Sequence, residues 1–279
     1  MKYFDAHSHY THGKFNRDRH GLFAEMQKEG VAYIVDCAGE GKNRDLALQL
    51  ARKYDFYYVC TIDDHYYKTD WDYEARAGEI NRLVDETVVK LKKLCEENKK
   101  IVAYGECYID FRKVEKTAEE VRKQSFWFGK DLEVARKVGL PPLIHSGNAD
   151  QEAFDVIKQT DMPDYGYGKG MLHCYLGPPQ MALDYIDLGY LISISGLVTH
   201  RSARGKNLVE VVKKVPLTHM LIETDCPYLT PEPFRDRRND STLLRLTVEE
   251  IAKIKNLYPE EVAEQTMANA KAFFGIGES

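Results

Sequence analysis

The chain has 279 residues, 43% apolar and 30% charged, with 19 glycines and 10 prolines, proportions that exclude a disordered or collagen-like polymer and suit one large globular domain or two small ones. Its 39 basic and 44 acidic side chains leave a formal charge of −5, which excludes a broad basic surface for nucleic acid and makes any phosphate binding local. No run approaches the ~20 apolar residues of a membrane-spanning helix, and Met1–Tyr10 lacks the basic and long apolar regions of an export signal, so the expected compartment is the cytoplasm.

Short apolar runs alternate with amphipathic segments from end to end. Tyr3–His7 and Ala32–Cys37 read as strands, and Leu46, Leu50 and Tyr54 then share one helix face. Phe56–Ile62 is the third strand, followed by a long helix lined by Ile80, Leu83, Val84, Leu91 and Leu94. Ile101–Glu106 is the fourth, and Thr117 caps the next helix, whose stripe is Val121, Phe128, Leu132 and Ala135. Pro142–His145, Gly170–Cys174 and Tyr190–Ser195 follow as strands, with Leu208, Val211, Val212 and Val215 on a helix after the last of them. Met220–Asp225 is the eighth strand. Thr247-Val-Glu-Glu250 has the spacing of a capping box, and a final helix from Pro259 to Phe274 stops at Gly275. The runs are continuous rather than alternating, as parallel strands covered on both faces require. Eight strands interleaved with helices predict a (β/α)8 TIM barrel with an additional C-terminal helix, one domain spanning residues 1–279. An open doubly wound sheet is disfavoured because the first strand ends in His-Ser-His and not in a glycine-rich phosphate turn. The six cysteines lack a CxxC pair and read as reduced packing residues.

Titratable residues gather where these strands end. His7 and His9 close the first, Glu106 the fourth, His145 the fifth, His173 the sixth and Asp225 the eighth. In a parallel barrel all C-terminal strand ends open onto one face, the face that carries barrel active sites. His7 and His9 stand two apart on an extended strand, point the same way and can chelate one ion. Mixed imidazole and carboxylate donors suit zinc, manganese, iron or similar divalent ions, and six ligands favour two ions bridged by a carboxylate, for which Glu106 is the natural choice. His12, His20, His200 and His219 read as loop or helix-end residues.

These motifs resemble the TatD-related deoxyribonucleases, metal-dependent hydrolases among the amidohydrolase-like barrels. The similarity runs from Asp5-Ala-His7-Ser-His9 through Gly105-Glu106-Cys107, Asp110-Phe111, His173-Cys174-Tyr175-Leu176-Gly177, Glu223-Thr224-Asp225-Cys226-Pro227-Tyr228-Leu229 and Arg237-Arg238-Asn239 to Asn269-Ala-Lys-Ala-Phe-Phe-Gly275. The resemblance implies that His7, His9, Glu106 and Asp225 hold one ion and Glu106, His145 and His173 the other, with magnesium, manganese or zinc in use. It also implies phosphodiester hydrolysis, exonuclease-like on single-stranded DNA. Two ions lower the pKa of a shared water, and Asp225 is placed to take its proton. Arg237, Arg238, Arg112 and His65 are the expected phosphate contacts. Tyr66, Tyr67, Trp71 and Tyr73 either stack on bases or pack against the neighbouring helix.

The chain departs from the family pattern around the substrate. Thr61-Ile62-Asp63-Asp64-His65 stands where many relatives have Gly-x-His-Pro, Gly147 where many have an arginine, and Tyr108 replaces a small residue. Two phosphate-facing positions thus lose a cation, and two acids, Asp63 and Asp64, arrive. That supports a second reading, a hydrolase of a small amide, lactone or phosphoester on the same scaffold. A third is a non-catalytic metal-binding barrel. Nothing marks an oligomer interface, so a monomer is expected.

Overall fold

The structure, a computed structural model, describes residues 1–39, 41–63 and 72–277. Eight parallel strands form one sheet in sequence order: β1 (Tyr3–Ser8), β2 (Val31–Cys37), β3 (Tyr57–Thr61), β4 (Ile101–Asp110), β5 (Pro142–Gly147), β6 (Gly170–Leu172), β7 (Tyr190–Ile194) and β8 (Met220–Ile222). The chain leaving β8 returns to β1, where Asp225 N–H donates to the His7 carbonyl and His9 N–H to the Cys226 carbonyl, both at 3.0 Å. The result is the expected TIM barrel. All eight predicted strands are present. The surrounding helices are α1 (Arg19–Lys28), α2 (Gly41–Lys53), α3 (Ala77–Glu97), α4 (Ala118–Val138), α5 (Asp150–Gln159), α6 (Pro179–Asp187), α7 (Ala203–Lys214), α8 (Leu244–Lys255) and α9 (Pro259–Phe274). Among the described residues no helix is long and apolar enough to cross a membrane, and all six cysteines are free.

Local chemistry sets the helix ends. Thr117 Oγ1 accepts from Glu120 N at 3.2 Å, and Gly275 takes the left-handed conformation (φ 63°) that ends α9. The capping box expected at Thr247 is absent. That residue lies in the buried second turn of α8, because Asp240 accepts from Thr242 N at 3.0 Å and starts the chain coiling through a 3-10 turn four residues earlier. Helices α1, α5 and α6 carry weak or short stripes that periodicity did not single out.

Phe4, Ala6, Val35, Cys60, Ala103, Leu143, Met171, Leu191 and Leu221 fill the barrel interior, and the end of α9 plugs its floor, with the Phe274 ring stacked on Phe4 at 5.5 Å. Burying these side chains drives closure, at roughly 1.5–3 kcal/mol for each of the larger ones (Phe4, Val35, Leu143, Met171, Leu191 and Leu221). It also sets which residues reach the open end. Leu143 and His145, Met171 and His173, and Leu221 and Glu223 follow the same alternation at and just beyond the strand ends, so packing an apolar layer below presents a polar layer above.

Parity alone would turn His7 and Glu106 away from the barrel. Phe4 and Ala6 are interior, yet His7 is odd; Ala103 is interior, yet Glu106 is even. The pairing register explains both. Between Asp5 and Ser8 strand β1 spends three residues against two of β2, and between Tyr104 and Cys107 β4 spends three against two of β5. Each extra residue is a bulge that reverses the alternation. Gly105 makes the second one possible, since a Cβ there would lie 2.6 Å from the Leu143 carbonyl oxygen.

Candidate metal centre

The mouth brings together all six residues that strand ends had marked. The two oxygens of Glu106 face different groups. Oε1 lies 3.4 Å from His7 Nε2 and 3.3 Å from His9 Nε2. Oε2 lies 3.3 Å from His173 Nε2 and 3.7 Å from His145 Nδ1. Asp225 joins the first set, with Oδ1 3.2 Å from His9 Nε2 and 3.7 Å from His7 Nε2. The imidazole nitrogens approach within each set, 3.2 Å between His7 and His9 and 2.9 Å between His145 and His173. His7 and His173 are buried beneath the partly open His9, His145, Glu106 and Asp225. Lone pairs packed this closely repel unless a proton or cation lies between them. His9 shows which. Its Nδ1 is 2.9 Å from the Cys37 carbonyl, which only accepts, so Nδ1 bears hydrogen and Nε2 is the nitrogen left to face a cation. The donor set fits divalent cations, with His7, His9 and Asp225 on one side of Glu106 and His145 and His173 on the other.

Charge distribution agrees. Burial disfavours charge on Glu106, but His173 and His7 outweigh it and hold the carboxyl well below its usual range. Asp225 is likewise lowered against burial by His9, His7 and His173. Burial opposes protonation of His9 too, yet the hydrogen bond to Asp225 and the charges of Glu106 and Asp225 push it up to about 9. His173 rises in the same way beside Glu106 and Glu223, whereas burial and His173 push His145 down to about 4. Protonation is thus favoured on His9 and His173 in a site rich in ligand atoms. Asp225 and the neighbouring Cys174 hold left-handed backbone (φ 52° and 43°), an arrangement costing about 1–3 kcal/mol each and common at functional sites.

Three supporting residues lacked a role in the sequence reading. Glu223, fully buried, places Oε1 3.4 Å from His173 Nδ1. Its i, i+2 relation to Asp225 was the available signal. Asp5 is buried and accepts from Thr224 N (2.9 Å), Thr224 Oγ1 (2.6 Å) and Ser241 Oγ (2.6 Å), tying β1 to the loop after β8; burial raises its carboxyl to about 7 against those bonds. Asp110 Oδ2 lies 3.4 Å from His145 Nε2.

The expected phosphate contacts divide. Arg112 is at the mouth, with Nη2 2.7 Å from His145 Nε2, and its guanidinium forks onto Asp110. That fork occupies the space beside Gly147, where a Cβ would collide with Asp110 and sit 2.7 Å from Arg112 Nε. Arg238 instead pairs with Asp18 at 2.6 Å and lies 4.4 Å over the Phe15 ring, and Arg237 lies 4.9 Å over Phe234. Both line a groove of about 510 Å³ with Arg17, Asp18 and Glu25, whose described lining contains none of the six mouth residues. Asp63 does not stand as an open acid in the mouth. It is buried and paired with Lys90 at 3.2 Å and Arg44 at 3.5 Å. Tyr73 packs on Phe126 at 4.8 Å, which is the packing reading. His65, Asp64, Tyr66, Tyr67 and Trp71 lie outside the described residues.

A parallel barrel with imidazoles and carboxylates converging at its C-terminal mouth defines the class of metal-dependent barrel hydrolases. The family profile described as TatD related DNase matches residues 4–275, and the chain belongs to that family. It is 32% identical to the uncharacterized metal-dependent hydrolase TatD of Mycobacterium tuberculosis, over 98% of each chain. It is 27% identical to the 3'-5' ssDNA/RNA exonuclease TatD of Erwinia amylovora, over 98% of this chain and all of that one. Among solved structures, the TatD homologue YjjV of Escherichia coli K12 superposes with a TM-score of 0.80 at 23% identity, covering 99% of this chain and 98% of that chain.

Proposed function

We propose that the protein is a two-ion phosphodiesterase that shortens single-stranded nucleic acid. The observation that carries this is Glu106, whose two oxygens each face a separate imidazole pair at the open mouth. Divalent ions bound there would lower the pKa of water and neutralise phosphoryl oxygens. His7, His9 and Asp225 would hold one, His145 and His173 the other, and Glu106 both. Asp225, ionised and partly open, takes the proton from the attacking water as its oxygen bonds to phosphorus. The bond from phosphorus to the departing sugar oxygen breaks, that oxygen takes up a proton from solvent, and Asp225 returns the proton it accepted to solvent. Arg112 holds a cation beside His145 to orient a phosphoryl oxygen. The nucleic-acid preference draws on the family and on the exonuclease relative of Erwinia amylovora.

Two arguments for a small amide or lactone weaken here, since Lys90 and Arg44 neutralise Asp63 and Arg112 fills the room beside Gly147. The test is a substrate panel on protein reconstituted with Mn2+, Mg2+ or Zn2+. End-labelled single-stranded DNA should shorten stepwise while lactones and amides stay intact; turnover of a lactone or amide with DNA untouched refutes the assignment.

A further inference from the structure

We infer that Cys37 is a positioning residue for the chelating pair His7 and His9, a role that rests on the metal-centre reading above. Strand β2 sends no imidazole or carboxylate into the mouth, yet its last residue touches both histidines. Cys37 Sγ lies 3.2 Å from His7 Nδ1, and the Cys37 carbonyl lies 2.9 Å from His9 Nδ1. One residue therefore meets the rear nitrogen of each ring whose front nitrogen faces Glu106.

The two contacts differ in kind. The carbonyl is a strong, fixed acceptor and survives any side-chain substitution. The thiol is a weak acceptor and depends on the residue being cysteine. For His7 to offer Nε2 to an ion, Nδ1 must keep its hydrogen, and Sγ is the atom placed to receive it. His7 is fully buried, so that N–H has no water to turn to. The ring is already held face to face with His173 at 3.8 Å between centroids, 11° from parallel. Rotation within that stacking plane would swing Nε2 off the mouth, and Sγ opposes it. Cys37 itself is 6% exposed and packs among the barrel-interior side chains. Orienting partners of ligand imidazoles typically carry about 10–100-fold in metal affinity.

Co2+ titration of the full-length wild type, Cys37→Ala and Cys37→Ser tests this, with affinity and the visible d–d spectrum as readouts. Cys37→Ala should weaken one of two Co2+ equivalents by about 10–100-fold and shift its d–d band while sparing the other equivalent. Cys37→Ser, which keeps an acceptor, should recover most of the loss. Wild-type affinities and spectrum in Cys37→Ala overturn the role, as does a serine variant as impaired as the alanine one, which marks packing alone. Should the variants fail to fold, 15N spectra of the Zn2+-loaded wild type decide: His7 must keep its proton on Nδ1, and a metal-bound Nδ1 overturns the proposal. A wild type that binds no Co2+ or Zn2+ defeats the metal-centre reading itself, an outcome distinct from loss of the Cys37 effect alone.

Discussion

Ion binding at this mouth should release protons, and His9 is the clearest source. His9 is held at about 9 by Asp225 and Glu106 despite burial, so at pH 7 nearly every ion-free molecule carries a proton on the ring. Freeing Nε2 across two pH units costs about 2.7 kcal/mol, so affinity at pH 7 stands about 100-fold below its plateau and rises about tenfold per pH unit toward pH 9. His173, also raised, adds a second proton on the other side of Glu106, while His145, near 4, is already neutral and adds none. Calorimetric titration with Mn2+ at pH 6, 7 and 8, in pairs of buffers with different ionisation heats, measures both slope and proton count. Binding of both ions should release at least the protons held on His9 and His173. The sign reverses for the ion-free fold: His9, raised above 6.5, contributes stability fully present below about 6.5 and lost as pH climbs through about 9. Affinity that stays flat from pH 6 to 8 with no proton release would refute the pairing of His9 with Asp225 and Glu106.

Other substitutions probe the supporting structure. Glu223→Gln should weaken the ion beside His173 by about 10–100-fold and leave the other nearly unchanged, as read by metal titration. Gly105→Ala should cost about 1–3 kcal/mol in denaturant melts, because its Cβ meets the Leu143 carbonyl, and should lower metal content by shifting Glu106. Asp5→Ala leaves two hydroxyls and two amides without their acceptor and should cost on the order of 3 kcal/mol. In Asp5→Asn the pH dependence should flatten, since the native carboxyl, raised to about 7, contributes stability that is lost as pH rises from about 4 through 7; melts at pH 5 and pH 8 check this.

Most of the barrel was legible because eight continuous apolar runs lie between amphipathic ones, and strand parity carried His145 and His173 to the mouth. The bulges that turn His7 and Glu106 inward were not legible, since a register shift belongs to a pair of strands and neither strand encodes it alone. The family motifs named those residues without explaining how they come to face the mouth. Cys37 and Asp5 escaped for a similar reason. Their partners lie on other strands or loops, and a cysteine or aspartate inside an apolar run looks like packing. Arg238 shows what a motif leaves out: a position expected to meet phosphate also pairs with Asp18 from the loop after β1.

The most direct measurement is metal content and DNA turnover of the purified full chain beside Glu106→Ala. Two divalent ions per wild-type chain and stepwise loss of single-stranded DNA, both abolished by Glu106→Ala, are the results expected of a shared carboxylate. A Glu106→Ala protein with wild-type metal content and undiminished turnover would contradict the two-ion centre.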